Sequence, residues 1–168
     1  MKLVPDYYCR SLENINFQTL KSHGIKCLLF DVDNTVTRWN EREVSEATVK
    51  WFDQLKEAGF KACLLSNNRS DTRVKVVAEK LGISYIYRAA KPSKGGYLRA
   101  VKLLNGKPGT IAMVGDQLFT DVWGAKRAGL FTILIDPICL KHEFFGTKFN
   151  RALERLVISK AKGRSHTF

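Results

Sequence analysis

Short apolar runs alternate along the chain with stretches in which apolar side chains recur every three or four positions. Residues 26–30 (KCLLF), 61–65 (KACLL), 84–87 (SYIY), 111–114 (IAMV) and 131–135 (FTILI) have the length and composition of strands buried on both faces. Between them lie segments of helical period. Residues 45–58 carry Val49, Phe52 and Leu55 on one side, with Ser45 placed to cap the start and Gly59 to close the end. Residues 71–81 end at Gly82, residues 94–104 form a third helix, and residues 120–128 stop at Gly129. Strand feeding helix feeding strand predicts a doubly wound, Rossmann-like α/β fold, a parallel sheet with helices on both faces.

The two ends are less regular. Residues 1–25, with Phe17 and Leu20 at helical spacing, are expected to pack on the sheet as an N-terminal extension. Residues 150–160 read as a last helix presenting Leu153, Leu156 and Val157, and residues 163–168 as a frayed tail. The pattern thus predicts one domain over 1–162, without internal repeats.

Composition narrows the class. With 45% hydrophobic residues in 168, a full core is affordable and a disordered tail is excluded. No apolar run approaches the ~20 residues that cross a bilayer, and the polar start is unlike a signal peptide, so a cytoplasmic protein is expected. Cysteines at 9, 27, 63 and 139 lack the short pair spacing of a zinc site and suit buried free thiols better than a disulfide framework. The net charge of +12 is unevenly spread: residues 61–110 hold 11 basic and 2 acidic side chains, and residues 141–168 hold 7 and 2. Such blocks read as solvated helix faces or as a surface for a polyanion: nucleic acid, acidic membrane or a phosphorylated substrate.

The chemistry collects where the predicted strands end, which is where ligands bind in open α/β sheets. The first strand runs into Asp31-Val32-Asp33-Asn34-Thr35, the second into Ser66-Asn67-Asn68, the third is followed by Lys91-Pro92, and the fourth by Gly115-Asp116 with Asp121 five residues on. Taken singly, each has a duller reading as a turn, a cap or a surface lysine. Together they place several carboxylates, a hydroxyl and an ammonium along one edge. Carboxylates crowded together require a cation, and a site built only of oxygens suits Mg²⁺ better than zinc. A hydroxyl and a lysine beside that cation suit a phosphoryl group. A carboxylate can then attack phosphorus, and a second one, two positions on, can move the proton.

These four motifs, in this order and each after a predicted strand, resemble those of the haloacid dehalogenase-like phosphatases. Within that superfamily the runs Gly24-Ile25, Asp33-Asn34-Thr35, Ser66-Asn67-Asn68 and Gly115-Asp116-Gln117-Leu118-Phe119-Thr120-Asp121 resemble the YqeG group of class IIIA phosphatases, which is related to phosphatidylglycerophosphate phosphatases of mitochondria and plastids. The resemblance implies Asp31 as nucleophile and metal ligand and Asp33 as general acid/base with its carbonyl on the metal. It implies Ser66, Asn67 and Lys91 as phosphate-binding residues, and Asp116 and Asp121 as completing the Mg²⁺ site. Lys94 is a near rival to Lys91, which is the better match and lies closer to the strand end.

Spacing adds a further expectation. Asp31 and Ser66 are 35 residues apart and Ser66 and Lys91 are 25 apart, distances filled by one helix and one strand each, which leaves no room for a substantial cap domain. An open site favours a large or surface-bound substrate, such as a phosphorylated lipid headgroup on an anionic membrane. Two alternatives stand beside it: the same chemistry on a soluble or macromolecular phosphoester (sugar phosphate, nucleotide, phosphoprotein), and a basic RNA- or ribosome-binding module with a vestigial site. The absence of an RNA-reading signature makes nucleic acid the weaker partner.

Overall fold

The computed structural model describes residues 3–139. Six strands, β1 (Tyr7–Cys9), β2 (Cys27–Phe30), β3 (Lys61–Leu65), β4 (Ser84–Ile86), β5 (Ile111–Gly115) and β6 (Phe131–Ile135), form one wholly parallel sheet in the order β1-β6-β5-β2-β3-β4. The helices are α1 (Phe17–Ser22), α2 (Glu46–Glu57), α3 (Asp71–Leu81), α4 (Lys94–Leu103) and α5 (Gly124–Arg127).

The two-residue period of each strand divides the core. Leu28, Phe30, Leu64, Val114, Ile133 and Ile135 face the helices α2 and α3, meeting Trp51, Phe52, Leu55, Val74, Val77 and Leu81. Their neighbours Cys27, Leu29, Cys63, Leu65, Ile111 and Met113 face the other way, onto Tyr97, Ala100 and Val101 of α4 and Ala125 of α5. The expected doubly wound α/β sheet is therefore what the chain forms. Local signals set the helix ends: the Ser45 hydroxyl accepts the Thr48 N–H at 3.1 Å to start α2, and Gly82 adopts the left-handed conformation (φ 64°) that ends α3.

Two elements differ from expectation. The extension contributes an edge strand, β1, too short to show a period of its own. Tertiary contacts hold it in place: the Asp6 carboxylate accepts the Thr132 N–H at 2.9 Å and the Thr132 hydroxyl at 2.8 Å, and pairs with Lys126 at 2.7 Å. The helix expected over 120–128 begins two residues earlier as a wide π turn, Leu118–Trp123, and only its end, α5, is α-helical. The Gln117 carbonyl accepts from the N–H groups of both Asp121 and Val122, which widens that first turn. The helix expected over 150–160 and the tail lie outside the described residues.

The winding of the sheet reverses between β2 and β5. From β2 the chain winds through β3 and β4 to one side, while β5, β6 and β1 occupy the other. The residues that leave β2 thus stand at the switch point, in the crevice where doubly wound folds bind ligands. The segments joining β2 to β3 and β3 to β4 hold one helix each, α2 and α3, so no cap covers this edge among the described residues.

Candidate active site

Asp31 follows β2 directly, and its N–H donates to the Val114 carbonyl of β5 at 2.9 Å, which fixes it at the end of the sheet. Ser66 follows β3, Lys91 closes the loop after β4, and Asp116 follows β5. Sheet register therefore brings together residues 60 positions apart: the Lys91 Nζ donates to Asp31 Oδ1 at 2.6 Å and to Asp121 Oδ1 at 2.8 Å. All three side chains are buried, with the Lys91 and Asp121 side chains 2% and 1% exposed. Lys94, by contrast, is exposed on the first turn of α4.

The wide turn after β5 has a clear purpose in this cluster. Asp121 folds back so that its Oδ2 accepts the Gln117 N–H at 3.1 Å while Oδ1 meets Lys91. Its carboxylate fills the space above Gly115, where any Cβ would collide with it. Oxygens of Asp31, Asp116 and Asp121 lie within 4.8 Å of one another. The Thr35 hydroxyl donates to Asp116 Oδ1 at 3.2 Å and ties the loop after β2 to that after β5.

Three carboxylates share one ammonium, and the electrostatics register the deficit. Burial, with Asp121 and Asp33 adding repulsion and Lys91 opposing it, pushes the Asp31 carboxyl up to about 7. Asp116 is likewise held well above the usual carboxylate range, by desolvation and then by Asp31 and Asp121. Burial alone would drive Lys91 toward the neutral amine, but Asp121 and Asp31 hold it protonated above the ordinary lysine range. A set of hard oxygen donors short of positive charge fits a divalent cation such as Mg²⁺.

The pH dependence of stability follows in sign. The folded protein keeps a proton on Asp31 that the unfolded chain loses near pH 4. Stability from this group is therefore full below about pH 4 and is lost as pH rises through about 7. Without divalent cations, the melting temperature is expected to fall over that window, at up to roughly 1.4 kcal/mol per pH unit, and Asp31→Asn should flatten the slope. Thermal unfolding of both proteins between pH 4 and 8 in chelator reads this directly.

The remaining expected residues fall around this cluster. Ser66, 1% exposed, accepts the Asn68 N–H at 3.1 Å, and its hydroxyl proton has no acceptor among the described residues. Asn67 reaches the site through Lys91: its Nδ2 donates to the Lys91 carbonyl at 2.9 Å and its Oδ1 accepts the Lys91 N–H at 2.7 Å. Asp33 stands outside the carboxylate cluster, where its Oδ2 pairs with Arg73 at 2.6 Å and its Oδ1 accepts the Asn40 N–H at 2.7 Å.

Sequence reasoning missed Arg73. It is 5% exposed, and besides Asp33 it donates to the Glu41 carbonyl at 3.1 Å, so it binds the loop after β2 to α3. The signal was present: Arg73, Val77 and Leu81 follow each other at intervals of four on the buried face of α3. An arginine at an apolar position needs an anionic partner.

The sequence model described as "haloacid dehalogenase-like hydrolase" matches residues 39–129. The chain is 37% identical over 163 residues to the "probable phosphatase YqeG" of Bacillus subtilis, covering 97% of this chain and 94% of that protein. It is 25% identical over 166 residues to phosphatidylglycerophosphate phosphatase 1 (chloroplastic/mitochondrial) of Arabidopsis thaliana, covering 94% of this chain and 48% of that protein's length. Among solved structures, the fold resembles a phosphatase of the same superfamily from Thermococcus onnurineus (TM-score 0.58, 17% identity, 72% of this chain and 90% of that one).

Proposed function

Because the chain belongs to the haloacid dehalogenase-like hydrolase family, we propose that it is a Mg²⁺-dependent phosphomonoesterase working through an aspartyl-phosphate. The observation that carries this reading is the convergence of Asp31, Ser66 and Lys91 at the carboxyl ends of adjacent strands, with Asp116 and Asp121 beside them. In the first step an Asp31 carboxylate oxygen attacks phosphorus, a P–O bond forms, the bond to the leaving oxygen breaks, and Asp33 supplies that oxygen's proton. In the second, Asp33 takes a proton from water, whose oxygen attacks the phosphoryl group. The bond to Asp31 breaks and inorganic phosphate leaves.

Lys91 and Ser66 hold the phosphoryl oxygens, the first as a fixed charge and the second through its uncommitted hydroxyl proton. Asn67 acts as a positioning residue that locks the Lys91 backbone, and Arg73 with the Asn40 amide does the same for the Asp33 carboxylate. Asp31, Asp116 and Asp121, with the Asp33 carbonyl, would hold Mg²⁺, which supplies positive charge to the transferring phosphoryl group.

The substrate we infer is a phosphorylated glycerolipid headgroup. Supporting this are a cleft that no cap covers among the described residues, the basic block 61–110, the similarity to a plant phosphatidylglycerophosphate phosphatase, and the exposure of Phe119 and Ile138 on segments that leave the same sheet edge. No helix among the described residues is long and apolar enough to cross a membrane, so contact with an anionic bilayer would be peripheral. The test is phosphate release from phosphatidylglycerophosphate in vesicles, compared with sugar phosphates and nucleotides. Release that is fastest from the lipid and lost in chelator is expected. Fast hydrolysis of soluble esters with the lipid untouched would reject the lipid reading.

A further inference from the structure

Next to the phosphate-holding pair lies a second cleft, of about 580 Å³, lined by Asn67, Arg69, Arg88 and Ala90. It adjoins the reaction centre through the chain itself, since Asn67 follows Ser66 and Ala90 precedes Lys91. Neither arginine takes part in an ion pair among the described residues, and the 61–110 block to which they belong holds only two acidic side chains. Among the described residues the cleft therefore carries positive charge without an acidic partner, and it lies within one residue along the chain of Ser66 on one side and of Lys91 on the other.

The wall is fixed rather than mobile. The Arg88 N–H donates to the Asn68 carbonyl at 2.9 Å and the Ala89 N–H to the Ser66 carbonyl at 2.9 Å, while the Arg88 carbonyl accepts from Arg99 at 3.0 Å. The Arg88 Nε donates to the Arg69 carbonyl at 3.3 Å, which links the two segments and leaves the outer nitrogens of the guanidinium for another acceptor. Arg88 and Ala90 both hold positive φ, 48° and 56°, a conformation that costs energy without glycine and recurs at ligand clamps.

We propose that Arg69 and Arg88 form a subsite for a second anionic phosphate on the substrate, so that the enzyme selects phosphomonoesters whose leaving group itself carries a phosphate. The inference rests on the phosphatase reading above and deepens it. Planar guanidinium groups bind phosphate oxygens in pairs, whereas a leaving group lacking that charge would leave the cleft hydrated. A glycerolipid headgroup with a phosphodiester next to its phosphomonoester has this chemistry, and so does the same headgroup without its acyl chains.

Steady-state kinetics with three substrates test the subsite: glycerol 3-phosphate, deacylated glycerophosphoglycerol phosphate, and the dioleoyl lipid in vesicles. Wild type is compared with Arg69→Ala and Arg88→Ala, both at exposed positions, with a melting curve of each variant to separate the loss of the Arg88 Nε bond to the Arg69 carbonyl from the loss of charge. Each substitution should raise KM for the two-phosphate substrates about 10- to 100-fold, the effect of a lost charged hydrogen bond, with kcat within about twofold and glycerol 3-phosphate unaffected. An equal effect on the deacylated and dioleoyl forms assigns the arginines to the headgroup. A rise confined to the dioleoyl form overturns the subsite in favour of attraction to the vesicle surface. Equal losses on all three substrates, or none, also overturn it while leaving the phosphatase reading intact. No phosphate release from any substrate by wild type overturns that reading and the subsite with it.

Discussion

Asp31→Asn should lower kcat for phosphate release by about 10⁴-fold or more, the scale on which loss of a covalent nucleophile acts, without destabilising the fold. The two halves of this expectation come from one fact. Asp31 is 7% exposed between two other carboxylates, and its ionised form is disfavoured enough to push its carboxyl up to about 7. An asparagine keeps an oxygen for the Lys91 ammonium but removes a buried charge, so without divalent cation the variant should melt no lower than wild type at pH 8 and above. Kinetics at saturating substrate and a melting curve in chelator check both. Retention of a tenth of wild-type turnover would move the nucleophile to another residue. A melting temperature several degrees below wild type would mean that Asp31 contributes to the fold rather than straining it.

Lys91→Met should have the largest effect on stability. Lys91 is the one cation within hydrogen-bonding distance of Asp31 and Asp121 among the described residues, at 2.6 and 2.8 Å. Methionine fills a similar volume but leaves two buried carboxylates facing each other. Removing one partner of a buried ion pair costs about 3–5 kcal/mol, which for a chain of this size lowers the melting temperature by roughly 6–20 °C. The companion substitution Asp121→Asn, made in the same protein, should recover part of the loss, because the penalty lies in the stranded charge and not in the missing side chain. Turnover should fall as well, by about 10²–10³-fold, as expected when a preorganised charge at the transferring group is removed. If Lys91→Met melts within two degrees of wild type at neutral pH, the triad of Asp31, Lys91 and Asp121 does not hold charge as described.

The parts of the site differ in how visibly they were written in the sequence. Asp31, Ser66 and Asp116 were legible because each directly follows an apolar run, and a parallel sheet sends all such residues to one edge. Lys91 could be preferred over Lys94 on the same ground, and the geometry separates them sharply, one buried on two carboxylates and the other exposed at the start of α4. Asn67 stood in the right motif, but its bonds go to the Lys91 peptide on the neighbouring loop, a partner 24 residues away that no local pattern names. The pairing of Arg73 with Asp33 spans 40 residues. The sequence contained half of that information, an arginine on an apolar helix face, without saying which anion it meets.

What the sequence by itself determined is the order of strands and helices, their stops at Gly82 and Gly129, and the edge on which the chemistry gathers. Period, capping and turn preference act over a few residues and need no partner from elsewhere. Only the tertiary structure decided the edge strand β1, the wide turn that folds Asp121 onto Gly115, and which oxygen of which carboxylate meets Lys91. These depend on register between strands and on the competition of buried charges for one ammonium. Neither is fixed until residues 30 to 126 positions apart are packed against one another.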